Sequence, residues 1–311
     1  MFQASKFKFK MKKGDAVTSS SEKRSITGST PKEKLVLDDK KFKEIRDFIY
    51  DKSGMYFNDS KKYLLENRLL KRVDFLSLKG FDEYFYFIRY DQKKEPELIE
   101  LFNAITINET SFFRNEPQIE AYASEVIPEI IKNLKAMGRK ELLIWSAASS
   151  SGEEPYTLAM ILHHKYKKEL AGISLKIVGT DISTEILNQA RRGIYNEYSI
   201  RNVPDDYMKE YFIQDGVKYT LKDEIKKYVE FTHVNLIDMD EMNKLKGADI
   251  IFCRNVLIYF DTASKTKVVS KLYDNLSRGG YLFIGHSESL HGISKAFKLV
   301  HFNKSIAYKK E

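Results

Sequence analysis

Apolar residues recur at helical spacing over residues 38–105 and in alternating helix-like and strand-like runs thereafter. Phe42, Ile45 and Ile49 stand at i, i+3 and i+7 behind Asp38 or Asp39, either of which can cap the helix, and Gly54 stops it. Asp59 or Ser60 is placed to cap a second helix with Leu65, Leu69, Val73 and Leu76 on one face and Gly80 beyond it. A third begins at Asp82 with Tyr84, Phe87 and Ile88, and a fourth near Pro96 with Leu98, Leu101, Phe102 and Ile105. From residue 118 the period changes. The pattern predicts a helix over 118–136, a strand at 141–145, a helix at 155–169, a strand at 175–180 ending at Asp181, and a helix over 183–192 stopped by Gly193. Strands follow at 229–234 and 249–253, then a helix at 264–277 and strands at 281–285, 297–302 and 305–309. Residues 194–228, rich in Tyr and charge, break the alternation and read as an insertion. The order implies an α/β domain with a parallel sheet covered by helices on both faces, preceded by a small helical domain.

Charge changes this picture only at one end. The net charge of +8 invites a nucleic-acid partner, but residues 1–35 hold nine Lys and Arg against three acids, so six of those eight charges lie there. That Ser/Thr/Lys-rich segment is expected to be a disordered basic tail, and the nearly neutral remainder gives no reason to expect nucleic acid. No apolar run reaches 18 residues and the first residues lack a signal-peptide core, so neither membrane insertion nor export is expected. One cysteine, Cys253, lies in an apolar run and reads as a buried strand residue. It excludes disulfides within the chain and fits a reducing cytoplasm.

The candidate chemistry lies at the strand ends, where open α/β sheets bind ligands. After the first strand, residues 146–152 are small, and Glu153, Glu154 and Pro155 open the next helix. This loop has one glycine where dinucleotide-binding loops have three, and it presents two carboxylates. Those repel a pyrophosphate but suit an amino group or a sulfonium, which points to S-adenosylmethionine. Glu154 is favoured over Glu153 as the ligand, with Glu153 decorating the helix start. Asp181 is placed to accept both ribose hydroxyls, or else to cap a helix. Asn235 and Leu236 end the strand at 229–234, where an amide and a backbone N–H can meet an adenine edge. Arg254 and Asn255 end the next strand; a cation there is either ligand-facing or in a structural ion pair. Between the domains, Asn108, Thr110 and Arg114 alternate with Phe112 and Phe113, as suits a lid shielding the sheet edge. The six histidines show no metal-ligand spacing, so no metal is expected, and His286 is read as orienting a loop.

Together these segments resemble the chemotaxis receptor methyltransferase (CheR) family over nearly the whole chain after residue 36. The resemblance rests on five motifs. They are Asn108-x-Thr110-x-Phe112-Phe113-Arg114; Trp145-Ser146-Ala147-Ala148 through Gly152-Glu153-Glu154-Pro155-Tyr156, with Asp181; Asn235-Leu236; Phe252-Cys253-Arg254-Asn255-Val256-x-Ile258-Tyr259-Phe260; and Gly285-His286-Ser287-Glu288. It implies a Rossmann-like class I S-adenosylmethionine-dependent methyltransferase sheet with an all-helical N-terminal domain and an inserted β-subdomain. The implied activity is methyl transfer to receptor glutamates, giving methyl esters and S-adenosylhomocysteine. The implied division is a tail over 1–35, a helical receptor-contact domain over 36–106, a lid over 107–117 and a methyltransferase domain over 118–311, with 194–228 inserted. Residues matching Asn108, Thr110, Arg114, Glu154, Asp181, Asn235, Leu236, Arg254 and Asn255 line the donor site in the family, and those matching Arg114 and Tyr259 lie near the transferred methyl. A basic helix with Lys61, Lys62, Arg68, Lys71 and Arg72 is expected to meet the cytoplasmic domain of the receptor. The short turn at 213–217 argues against high-affinity tethering to a receptor's C-terminal peptide, and a cytoplasmic monomer is expected.

Overall fold

The computed structural model describes residues 35–311, so the expected basic tail lies, apart from Leu35, outside the described residues. Four helices come first: α1 (Asp39–Ser53), α2 (Lys62–Phe75), α3 (Phe81–Tyr90) and α4 (Lys94–Ile105). Asp38, not Asp39, caps α1 by accepting from the Lys41 amide at 2.8 Å. Neither Asp59 nor Ser60 caps α2; a 3-10 turn (Asp59–Lys61) leads into it, and Asp59 accepts from Arg46 at 3.1 Å. Phe85 is buried on α3, while Phe87 is only half-buried. One apolar cluster, including Phe42, Ile49, Leu65, Leu69, Tyr84 and Leu101, closes this bundle.

Inside it lies a buried charge. Arg72 donates to both carboxylate oxygens of Glu97, at 2.9 and 2.6 Å, and the Tyr84 hydroxyl donates to the same group at 2.9 Å. Helices α2, α3 and α4 are thus tied by one carboxylate. Arg68 likewise turns inward, donating to the carbonyls of Ala104 and Thr106. Two of the five cations expected on a receptor-facing helix are therefore committed to the fold.

The expected helix at 118–136 is three segments: α5 (Glu116–Ala121), a π turn (Tyr122–Val126) and α6 (Ile127–Ala136). Pro128 has no N–H to donate and its ring crowds the carbonyl four residues back, so the helix widens there and the Ile127 amide reaches Tyr122 instead. The chain continues through β1 (Glu141–Ala147), α7 (Glu153–Tyr166), β2 (Ser174–Asp181) and α8 (Thr184–Arg192). The insertion follows: β3 (Ile194–Tyr195), α9 (Glu197–Ile200), α10 (Asp205–Tyr211), β4 (Phe212–Asp215), β5 (Lys218–Leu221) and α11 (Asp223–Lys226). The remainder is β6 (Val229–His233), α12 (Met239–Asn243), β7 (Ala248–Cys253), α13 (Thr262–Asn275), β8 (Leu276–Ile284), β9 (Lys298–Phe302) and β10 (Ser305–Lys309). Strand β8 starts before its apolar run, at Leu276, and its ladder with β7 shifts register across Ser277-Arg278-Gly279-Gly280.

The main sheet runs β6-β2-β1-β7-β8-β10-β9, parallel except for β10 against both neighbours, and the insertion folds its own sheet β3-β5-β4. Period-two alternation divides each central strand between two cores. Leu142, Ile144, Ile177, Ile250 and Phe252 pack on one face; Leu143, Trp145, Val178, Ile251 and Cys253 pack on the other. Strand order reverses between β1 and β7. A crevice at the carboxyl ends of strands follows from that reversal. Among the described residues no helix is long and apolar enough to cross a membrane.

Candidate functional site

The loop after β1 is built by backbone conformations that large side chains resist. Ala148, Ser150 and Gly152 all have positive φ, at 57°, 50° and 92°. A Cβ on Gly152 would stand 2.9 Å from Phe231 and 3.0 Å from Ala190, so that position has no room for a side chain. The strained turns are held from the neighbouring strand. The Ser149 amide donates to the Thr180 carbonyl at 2.7 Å, and the Ser150 amide donates to Asp181 Oδ2 at 3.0 Å.

Asp181 also accepts from the Ser183 amide at 3.0 Å, but the cap of α8 is Ser183, whose hydroxyl accepts from Ile186. Burial pushes the Asp181 carboxyl above the ordinary aspartate range, against the amides of Ser183, Ser150 and Ile182. Glu154 sits at the first turn of α7. Its Oε1 accepts from Ser146 Oγ at 2.7 Å and its Oε2 from Arg254 Nη1 at 3.1 Å. Arg254 is cleft-lining and ion-paired at once: it lines the cleft, and its other terminal nitrogen donates to the Arg114 carbonyl at 2.6 Å. Burial lowers its pKa, opposed by Glu154. Glu153 does not decorate the helix start. Its carboxylate is buried, accepts from Ser151 Oγ at 2.7 Å and has its pKa raised by that burial.

The ten residues that the resemblance places at the donor site or near the transferred methyl all line one cleft of about 230 Å³: Asn108, Thr110, Arg114, Glu154, Asp181, Asn235, Leu236, Arg254, Asn255 and Tyr259. A single water needs only about a tenth of that or less. Two buried donors, Ser149 Oγ and Arg254 Nε, belong to residues lining the cleft and lack a partner among the described residues. Unpaired buried donors beside a carboxylate suit a zwitterionic ligand. The Asn235 carboxamide is partly committed, donating to the Lys52 carbonyl at 2.7 Å. Arg114 donates to the Glu109 carbonyl at 2.8 Å. Burial pushes the Tyr259 hydroxyl up, opposed by nearby Arg114 and Arg68.

Phe113 lines the cleft, but Phe112 is fully buried against Tyr195 and Phe212 of the insertion, 4.7 and 5.1 Å between ring centroids, and shields nothing at the mouth. Sequence reasoning missed one whole wall. Ser53, Met55, Tyr56, Phe57, Lys61 and Leu64 of the helical domain line the cleft, with the Tyr56 backbone amide donating to the Tyr259 carbonyl at 2.9 Å. No periodicity signals such a contact, because it joins segments some 200 residues apart. His286 is exposed and orients no loop; the neighbouring Glu288 carboxylate accepts from the backbone there.

Residues 108–306 match the family model of the CheR methyltransferase S-adenosylmethionine-binding domain, and residues 40–106 match that of the CheR all-alpha domain. The chain is 40% identical over 278 residues to chemotaxis protein methyltransferase 2 of Vibrio cholerae, covering 89% of this chain and 94% of that protein. It is 37% identical over 246 residues to a chemotaxis protein methyltransferase of Borreliella burgdorferi, covering 78% and 86%. Against chemotaxis protein methyltransferase 1 of Pseudomonas aeruginosa the identity is 34% over 272 residues, covering 86% and 97%. The chain therefore belongs to the CheR methyltransferase family, as a methyltransferase whose methyl donor is S-adenosylmethionine.

Proposed function

We propose that this enzyme methylates glutamate side chains in the cytoplasmic domains of chemoreceptors, acting as a cytoplasmic monomer without high-affinity tethering to a receptor's C-terminal peptide. The observation that carries the reading is one cleft holding the Glu154–Arg254 pair, Asp181, Arg114 and Tyr259 together. In it Glu154 takes the donor's amino group and Arg254 its carboxylate. Asp181 accepts from the ribose hydroxyls, Asn235 and Leu236 meet the adenine edge, and Asn108, Thr110 and Asn255 complete the wall. The short turn between β4 and β5, only Gly216 and Val217, supports the absence of tight tethering. We divide the chain functionally into a tail (1–35), a receptor-contact domain (36–106), a lid (107–117) and a transferase domain (118–311) with its insertion (194–228).

S-adenosylmethionine supplies an electrophilic methyl on a sulfonium sulfur. A glutamate side chain, with an ordinary pKa of about 4.3, is already ionised at neutral pH and needs no general base. Its oxygen forms a bond to the methyl carbon as the carbon–sulfur bond breaks. The bonding pair stays on sulfur, so a methyl ester and a thioether leave and no proton moves. The protein's task is alignment, which is worth up to about 7–11 kcal/mol in favourable cases. Arg114 steers the incoming carboxylate and Tyr259 orients the reacting groups. Of the basic residues on α2, Lys71 is exposed and stays available to an acidic receptor surface, whereas Arg68 and Arg72 serve the fold.

The test is transfer of labelled methyl to receptor cytoplasmic domains, scored as base-labile label. Arg114→Ala and Asp181→Ala are expected to lose about 100-fold or more in kcat/KM. Removing residues 1–35 leaves transfer intact. Full activity in Asp181→Ala overturns the donor pose, and loss of activity on removing the tail favours another acceptor.

A further inference from the structure

The Glu288 carboxylate is the acceptor for three backbone amides drawn from two loops. Gly285 donates to Oε2 at 2.6 Å, Asn255 donates to the same oxygen at 2.9 Å, and Ile258 donates to Oε1 at 3.2 Å. The first amide belongs to the loop after β8; the other two belong to residues 254–260, the loop after β7. That second loop carries Arg254, Asn255 and Tyr259, three residues that line the cleft, whereas Glu288 itself does not line it. The loop is anchored at its far end by pairing between Phe260 and Met55 and by the α13 cap at Asp261. Its middle is a 3-10 turn (Leu257–Tyr259), and Asn255 before it has φ of 59°, a conformation that costs a non-glycine residue energy and needs outside support. The only side-chain acceptor for amides in that middle stretch, among the described residues, is Glu288. The two loops meet closely there: a Cβ on Gly285 would stand 2.8 Å from Glu288 Oε2 and 3.0 Å from the Asn255 amide.

We infer that Glu288 is a positioning residue for methyl transfer, fixing the 254–260 loop so that the Tyr259 hydroxyl and the Asn255 backbone stand correctly in the cleft. A carboxylate accepting three amides is a charge-assisted anchor, stronger than a neutral acceptor at the same place. It acts on the loop from behind, so its influence reaches the reaction through the residues that loop carries into the cleft. Asp181 sits on β2, outside that loop, and Glu154 sits on α7, where Ser146 holds one oxygen and Arg254 at the start of the loop pairs with the other. The inference rests on the role given above to Tyr259 and on the cleft being the donor site.

The experiment compares wild type, Glu288→Gln, Glu288→Ala, Tyr259→Phe and the Glu288→Gln/Tyr259→Phe double variant. It measures steady-state methyl transfer to a receptor cytoplasmic domain, with active sites counted by titration with S-adenosylhomocysteine. The expected result is a fall in kcat per titrated site of about 10- to 100-fold in Glu288→Gln, the scale of a misplacement near 1 Å. KM for S-adenosylmethionine changes by no more than about threefold, because most donor contacts lie on other elements. The double variant is expected to lose less than the product of the two single losses, since Tyr259 cannot lose twice what positioning alone gives it. Glu288→Gln keeps the shape and one acceptor oxygen, so it remains informative where Glu288→Ala fails to fold. Unchanged kcat per titrated site in Glu288→Gln overturns the inference, as do losses that multiply in the double variant. Wild type that binds the donor yet transfers nothing to receptor overturns the acceptor assignment instead.

Discussion

Asp181 holds the strained Ser150 turn from a buried position, and the proposed donor pose gives the same carboxylate the ribose hydroxyls. Burial raises its pKa in the folded chain above the ordinary aspartate value, so the folded state takes up a proton more readily than the unfolded one. The stability that Asp181 contributes is therefore present below the ordinary value and declines as pH rises through the raised one. Asparagine at this position cannot ionise. The stability of Asp181→Asn relative to wild type is expected to rise as pH climbs from about 4 through the raised folded-state value and then level off. Thermal melts of both proteins without donor, over a pH series, check this; a gap that stays flat or narrows refutes it. Asp181, Glu154 and Arg254 were legible because parallel strands deliver their carboxyl ends to one crevice, whatever the loops do. Glu153 was misread for a local reason. Two adjacent carboxylates at a helix start look alike in sequence, and only packing on the insertion turns one of them inward.

Elements were legible where one period decided them, as in α1 and β1, and obscure where a partner from elsewhere did. Arg72 lies among Lys61, Lys62, Arg68 and Lys71, and helical spacing alone groups it with a solvated basic face. Its real environment is Glu97, 25 residues on, which no helical projection of α2 contains. Glu97 in turn reads as a surface residue of α4, yet its side chain is 5% exposed. The consequence is energetic. Glu97→Ala leaves the part-buried Arg72 with only its longer 3.6 Å contact to Glu100 and the Tyr84 hydroxyl without an acceptor, and removing one partner of a buried pair costs up to about 3–5 kcal/mol. Urea unfolding is expected to show that loss, with Lys71→Ala, at an exposed position, within about 0.5 kcal/mol of wild type. Equal, small effects of the two substitutions rule out the buried pair as a stabilising element.

For the molecule as a whole, the helical domain lines the cleft proposed to hold the donor. Lys52 receives a bond from Asn235, Tyr50 donates to Asp261 at 3.1 Å, and Asn103 accepts from Ser183 at 2.9 Å at the start of α8. Two sequence modules that pattern alone separates cleanly thus share one wall, and that sharing is invisible to any local reading. Gly54 lies at the seam, with φ of 70°, and a Cβ there would stand 2.5 Å from Ile237 Cγ2 and 3.2 Å from the Phe260 ring. Gly54→Val must therefore push the helical domain away from the sheet. Strain and overpacking together are expected to cost about 2–5 kcal/mol, and donor affinity to fall about 3- to 30-fold although residue 54 does not line the cleft. Gly138→Ala is the matched control: φ there is 65° but nothing lies within 4 Å, so it carries backbone strain without a clash. It is expected to cost about 1–2 kcal/mol and to bind donor as wild type does. Calorimetric titration of S-adenosylmethionine at a temperature where all three proteins are folded separates the two effects. If Gly54→Val binds as tightly as Gly138→Ala, the helical domain covers the cleft without shaping it, and donor binding belongs to the sheet domain alone.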